Sequence, residues 1–214
     1  MATQTKAHCA LCQKEYAKAG MSKHLSTRLG NYLQAAVDKG KPQAFTHLLV
    51  TAPGLSAYWL HLLVNSATPL KKLDQFLREI WLECCGHLSA FNAKQQAEPL
   101  SMTTKIANAL PPGTRLDYQY DFGSTTELSI QSLANYVVPE KLFKDKLVLL
   151  ARNQAPVLAC SYCGKPAVQI CTECAWDGEG WLCASCAEEH ECGEDMYLPV
   201  VNSPRVGVCA YTGE

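Results

Sequence analysis

Seven cysteines and one histidine are arranged as Cys160-x2-Cys163-x7-Cys171-x2-Cys174-x8-Cys183-x2-Cys186-x3-His190-x-Cys192, and no other feature of the 214-residue sequence constrains its fold so tightly. Ligands arriving in pairs suit two tetrahedral zinc sites, because a C-x2-C turn places two sulfurs at the ~2.3 Å that zinc prefers and turns backbone N–H groups toward them. Two wirings satisfy the spacing. In a cross-brace, Cys160, Cys163, Cys183 and Cys186 hold one ion while Cys171, Cys174, His190 and Cys192 hold the other; in a sequential arrangement each ion takes two neighbouring pairs. Cys209, in GVCAY, is a ninth candidate and could replace His190 or Cys192. Gly164 and Gly193 each follow a ligand directly, where such a turn is expected to need a positive φ. With all four positions at each ion filled by protein, the expected role of the metal is structural rather than catalytic. A thioredoxin-like redox site would need one C-x-x-C opening a helix after a strand, which three successive pairs do not fit.

The order of the pairs resembles B-box, ZZ and related treble-clef-like cross-brace modules. That resemblance favours the first wiring and implies protein binding. The opening residues, MATQTKAHCALCQ, lack the apolar run of a signal peptide, and no stretch offers the ~20 apolar residues of a membrane span. A cytoplasmic protein without membrane association is therefore expected, and in a reducing cytosol twelve cysteines point to metal rather than to disulfides.

The net charge of −1 conceals an asymmetry. Residues 1–44 carry 7 Lys and Arg against 2 Asp and Glu, residues 45–159 carry 10 against 9, and residues 160–214 carry 2 against 9. An acidic tail made more negative by thiolates is a poor ligand for a phosphate backbone, so any nucleic-acid contact is expected from the head. There, Cys9-x2-Cys12-x11-His24 resembles the front of a two-Cys, two-His finger. Tyr16 and Met21 or Leu25 occupy the places of its small core, and Ser22 is expected to cap a helix beginning SKHLSTRL. The fourth ligand is missing, since residues 27 to 29 are Thr, Arg and Leu; His47, His8 or a water would have to complete the shell. Lys14, Lys18, Lys23 and Arg28 are the candidate phosphate contacts, weak and salt-sensitive.

Between these ends, alternating and periodic apolar patterns predict an α+β domain. FTHLLVT and YWLHLLVNS read as strands around a Pro53-Gly54 break. In TPLKKLDQFLREIWLECC, apolar Leu70, Leu73, Leu77, Ile80, Trp81 and Cys84 recur at helical spacing, with Thr68 as cap and Pro69 at the first position. A weaker helix is expected over Met102–Leu110, then strands in RLDYQYDF, TELSIQSLANY and KLVLLARN.

The segments YWLHLLVNSATPLKKLDQFLREIWLECCGHLSAF and LDYQYDFGSTTELSI resemble the Ri-plasmid (pRiA) ORF-three-like family, whose members also occur as passenger proteins of insertion elements. The resemblance covers about half the chain and implies an α+β core of prokaryotic, mobile-element distribution. It brings no assigned activity. Where the family motif often continues after YDFG with an Asp, a Trp and a His, this sequence has Ser124, Thr126 and Leu128.

Two clusters in the core invite other chemistry. Asp117 and Asp121 face the same way if both lie on one strand, and with Glu127 they could hold magnesium for nuclease chemistry, although no lysine or histidine at motif spacing completes the set. Cys84, Cys85 and His87 form CCGH, but adjacent cysteines on a helix point about 100° apart and should not share an ion; Cys84 is expected in the core. His61, alternating with apolar neighbours, reads as a surface or hydrogen-bonded histidine rather than a ligand.

The fold class expected is thus α+β, with a basic finger-like head (1–44), a mixed core (45–152) and an acidic two-zinc module (153–214). The function expected is non-catalytic recognition, with a protein partner on the tail and weak DNA or RNA contact by the head. The alternative is a metal-dependent enzyme acting on nucleic acid. The cofactor expected is zinc, two ions in the tail and a third if the head completes its shell.

Overall fold

Residues 4–34, 40–94 and 96–213 are described by a computed structural model. The continuous apolar runs of the core become two long strands, β3 (Pro42–Ala52) and β4 (Leu55–Asn65), joined by a hairpin that turns at Gly54 with φ +76°. They are the fourth and fifth strands of a six-stranded antiparallel sheet. It is completed by β5 (Ser89–Ala93), β6 (Arg115–Tyr120), β7 (Thr126–Pro139) and β8 (Leu147–Arg152), in the order β5-β6-β7-β3-β4-β8.

β4 lacks a polar face because both of its faces are covered. Tyr58, Leu60, Leu62 and Val64 pack on one side with Leu70, Leu73, Leu77 and Trp81. Trp59 and Leu63 pack on the other with residues of the head. Each fully buried Leu or Val contributes roughly 1.5–3 kcal/mol of apolar transfer, so a strand apolar on both faces is stable only between two layers.

The layer on the first side is α2 (Leu70–Leu77), continued by a single π turn over Arg78–Leu82. The expected stripe of Leu70, Leu73 and Leu77 is buried, and the wider π turn brings both Trp81 and Leu82 inward. Thr68 does not cap this helix. Its N–H groups at Leu70 and Lys71 donate instead to the carbonyls of Thr104 (2.8 Å) and Met102 (2.8 Å), leaving nothing for a side-chain cap to satisfy. Residues 101–104 form a turn closed by the Thr104 N–H on the Ser101 carbonyl (2.9 Å), and with its carbonyls at Met102 and Thr104 committed to α2 the second helix shrinks to α3 (Ile106–Ala109).

On the second side lies the head. A short hairpin, β1 (Lys6–His8) with β2 (Glu15–Ala17), leads into α1 (Lys18–Gln34), giving a ββα unit. Met21, Leu25, Leu29 and Leu33 recur every fourth residue along α1, are all buried, and share one cluster with Phe45, Trp59, Leu63, Val138 and Leu150. The head therefore has no core of its own and completes that of the sheet. Ser22 lies inside α1 and donates to the Lys18 carbonyl (3.1 Å), so it is not the cap.

Past β8 the chain forms a three-stranded sheet in the order β10 (Trp181–Leu182), β9 (Gln169–Cys171), β11 (Tyr197–Pro199), with α4 (Ala184–Glu188) beside it. The last stretch returns to the core. Asn202 and Asn153 are joined by paired hydrogen bonds of 2.8 and 2.7 Å, Ser203 Oγ donates to the Trp81 carbonyl (2.5 Å), and Arg205 is fully buried. Among the described residues, no helix is long and apolar enough to cross a membrane.

Candidate metal centres

Among the described residues, four groups of Cys and His side chains have ligand atoms within 4.8 Å of one another and could hold metal ions: two in the tail, one in the head and one that joins core and tail.

In the tail, Cys160 and Cys163 form a knuckle. The N–H of Cys160 donates to the Lys165 carbonyl (2.7 Å) and that of Gly164 to the Cys160 carbonyl (3.0 Å), with Gly164 at φ +73° as the turn demands. Cys183 and Cys186 start α4, and the Cys163 and Cys183 sulfurs are 3.5 Å apart. Cys171 ends β9 and Cys174 opens the next turn. The Cys174 sulfur is 3.4 Å from His190 Nε2 and 3.7 Å from the Cys192 sulfur. First pair with third and second with fourth is the cross-brace. Gly193, by contrast, has φ −63°, so the positive φ expected there is not found, and the one atom close to a Cβ at that position, Asp195 Oδ1, belongs to an exposed side chain that can move aside.

The fourth group is Cys84, Cys85, His87 and Cys209, which corrects two expectations. Cys209 does not substitute for His190 or Cys192. Cys84 and Cys85 do not lie on the helix, because the π turn ends at Leu82 and Glu83 is extended. A loop can aim neighbouring cysteines at one point: the Cys85 sulfur is 3.7 Å from that of Cys84, 3.6 Å from that of Cys209 and 3.0 Å from His87 Nε2. CCGH displayed three of these ligands in the sequence; the fourth comes from 122 residues beyond His87.

Two tests bear on whether these groups suit a metal. Ligands ~2.3 Å from a tetrahedral ion are about 3.8 Å apart, close to the 3.5–3.7 Å between sulfurs here. The electrostatics agree. Burial pushes the Cys160 thiol up, but backbone N–H groups of Cys183, Cys163 and Tyr162 outweigh it and hold it at about 6. Its cluster neighbour Cys186 is pushed to about 12 by Cys163 and Cys183. Cys171 is held at about 7, burial being outweighed by N–H groups of Cys174 and Glu173 and by His190 and Cys192, while Cys174 is driven to about 12 by Cys192. His87 lowers Cys209 to about 7, and Cys209 and Cys84 drive Cys85 to about 12. In each of these three groups one thiolate forms readily and then opposes the next, a conflict that a dication at the centre removes.

The head repeats the knuckle: the N–H of Cys9 donates to the Lys14 carbonyl (2.9 Å) and that of Gln13 to the Cys9 carbonyl (2.7 Å), with Gln13 at φ +60° in the place Gly164 takes in the tail. Cys12 Sγ and His24 Nε2 are 3.3 Å apart, and Tyr16 stacks on the His24 ring at 4.3 Å between centroids. Burial, then Arg28 and Lys14, lower the His24 pKa and favour the neutral imidazole that can ligate. Neither proposed histidine completes the shell. His47 is buried against His61, Nε2 to Nδ1 2.9 Å, and both His8 nitrogens have other partners, Gln13 O at 3.1 Å and Gln154 Nε2 at 3.2 Å. Of the four cations, Lys14, Lys23 and Arg28 line one open cleft of about 660 Å³ with Cys12 and His24, and Lys18 stands apart at the start of α1.

The core carboxylates do not converge. Asp121 lies beyond β6 at φ +65°, where its carboxylate accepts from Arg205 Nη2 (2.7 Å) and from the Gly123 N–H (3.0 Å). Asp117 stays on the strand opposite Ser129, and Glu127 accepts from Gln119 Nε2 (3.2 Å). Arg205 has saturated the carboxylate that magnesium would need.

No family model matches this chain, and no curated protein matches it. Among solved structures, a Methanosarcina mazei Go1 protein of unknown function is similar at a TM-score of 0.44 and 15% identity, over 52% of this chain and 70% of its own. At that score the likeness carries no argument about fold or function.

Proposed function

We propose that this is a zinc-held recognition protein whose acidic tail binds a basic peptide segment of a partner protein. The zinc ions are structural at the three four-ligand groups, two stabilising the tail and one fastening residue 209 to the core. The observation that carries the partner reading is Trp176. It sits in the turn that begins at the ligand Cys174, is 86% exposed, and is bordered by exposed Glu173, Asp177 and Glu179. A large aromatic held in water by a short turn is an anchor for an apolar contact, and the carboxylates around it select positive charge. Tyr162 and Val168 of the same module are also half-exposed.

Membership of the core in the Ri-plasmid ORF-three-like family belongs to the same proposal. Its supporting observation is that the two motifs behind the resemblance are neighbours: Ser89 of HLSAF pairs with Tyr120 of YDFG, and the Asp121 N–H donates to the Leu88 carbonyl at 2.8 Å.

The test is binding of the zinc-loaded chain to a library of Lys- and Arg-rich peptides with single apolar residues, measured beside an acidic library. Trp176→Ala should weaken binding by roughly 30-fold, the size of an anchor residue. Equal binding by the variant, or a preference for the acidic library, overturns the partner reading.

A further inference from the structure

The head differs from the other three groups in offering only three ligands, and the structure shows what stands where a fourth would be. Within a helix the residues three and four positions away share the face of His24: Gly20, which has no side chain, and Met21, which is buried in the core, on one side, and Thr27 and Arg28 on the other. A guanidinium has no lone pair to give a metal. Among the described residues, then, an ion bound by Cys9, Cys12 and His24 keeps an open position, the arrangement of zinc sites that exchange a ligand rather than of those that only brace a fold.

That position is reached from the cleft, since Cys12 and His24 are part of its wall. Three of the other seven lining residues are cations. Lys14, Lys23 and Arg28 are exposed along it, Thr27 and Asn31 add neutral polar groups, and no carboxylate lines it. The described ion pairs involve none of the three cations. Two thiolates and a neutral imidazole leave a zinc ion with no net charge, so the ion does not repel an anion and the three side chains attract one. More than one cation favours a doubly charged ligand, and the fork of Arg28 fits two oxygens of a phosphoryl group.

We infer that the head is a metal-anchored phosphate site, in which an oxygen of a phosphate or phosphate ester takes the fourth position on a zinc ion held by Cys9, Cys12 and His24, with Arg28, Lys14 and Lys23 binding the remaining oxygens. The arginine that spoils the finger as a closed structural unit is the residue that makes it a receptor. This inference rests on the proposal that the Cys and His groups hold zinc.

Cadmium-113 NMR of the full-length protein tests it, because the chemical shift follows the sulfur and nitrogen donors, and the head alone offers two sulfurs and one nitrogen where one group offers four sulfurs and two offer three sulfurs and one nitrogen. Four resonances are expected, and inorganic phosphate should move the two-sulfur, one-nitrogen head resonance alone. Arg28→Ala and Lys14→Ala should each weaken that titration about tenfold or more. Arg28→His, which supplies the fourth ligand, should keep the metal and abolish the response. Adenosine monophosphate and a short single-stranded oligonucleotide serve as further probes: equal affinity for all three assigns the site to free phosphate groups, and tighter oligonucleotide binding assigns it to a nucleic-acid backbone. A head resonance unmoved by phosphate, or moved equally in Arg28→His, overturns the inference. Three resonances with the head signal missing overturn it too while leaving the other zinc sites standing, whereas the absence of every resonance refutes the zinc reading itself.

Discussion

Acidification from about pH 7.5 to about pH 5.5 is expected to destabilise the protein chiefly through one buried pair, His47 and His61. Both rings lie between the sheet and α1 and are essentially inaccessible. His47 Nε2 is 2.9 Å from His61 Nδ1, and His61 Nε2 is 3.2 Å from Ser22 Oγ. Ser22 donates its proton to the Lys18 carbonyl, so a chain running from His47 N–H to His61 N–H to Ser22 Oγ is satisfied with both imidazoles neutral. Burial lowers His47 to about 4, and burial together with His47 lowers His61 to about 3. Both shifts are downward, so the folded state resists protonation while the unfolded state takes up protons below ~6.5. Stability from the pair is complete above that value and declines as pH falls, until the folded state itself is protonated near the lowered values. One pH unit below 6.5 each histidine costs about 1.4 kcal/mol, and the two together about 3 kcal/mol. Urea unfolding of the zinc-loaded protein at the two pH values measures the loss, and His47→Gln with His61→Gln provides the reference in which other titrating groups cancel. The wild type should lose about 3 kcal/mol more than the double variant. Equal losses would mean that the folded pair takes up protons as readily as free histidine, refuting the account of this layer as a dry interface.

Two further predictions concern the junction of core and tail. Arg205→Met leaves the buried Asp121 carboxylate without its ion pair and should cost about 3–5 kcal/mol in urea unfolding, with part of the loss recovered by adding Asp121→Asn. Native mass spectrometry should count four zinc ions on the wild type and three on the double variant Cys85→Ala with Cys209→Ala, which keeps only two ligands of the group that joins core and tail; four on both would show that this group holds none of them.

The sequence by itself determined the local chemistry. A ligand pair two residues apart closes a knuckle whatever surrounds it, because the turn needs only its own N–H groups and a residue tolerant of positive φ. For the same reason Cys9, Cys12 and His24 were legible as a group, and so was the absence of a partner at Thr27 and Arg28. The α2 stripe and the β3–β4 break were likewise written in spacing and in Pro53-Gly54. What spacing could not express was which surfaces meet. YWLHLLVNS shows that a strand is buried but not that its two faces serve different layers, so His61 did not reveal its place between sheet and helix. Nor could helical geometry applied to CCGH anticipate a π turn that ends the helix at Leu82 and frees Cys84 and Cys85 to face Cys209. That group, like the Arg205–Asp121 pair that takes the carboxylate from any magnesium site, forms between segments more than eighty residues apart. Only the packing of the last residues onto the core brings them together, since contacts between distant segments depend on the whole chain's path rather than on local torsions.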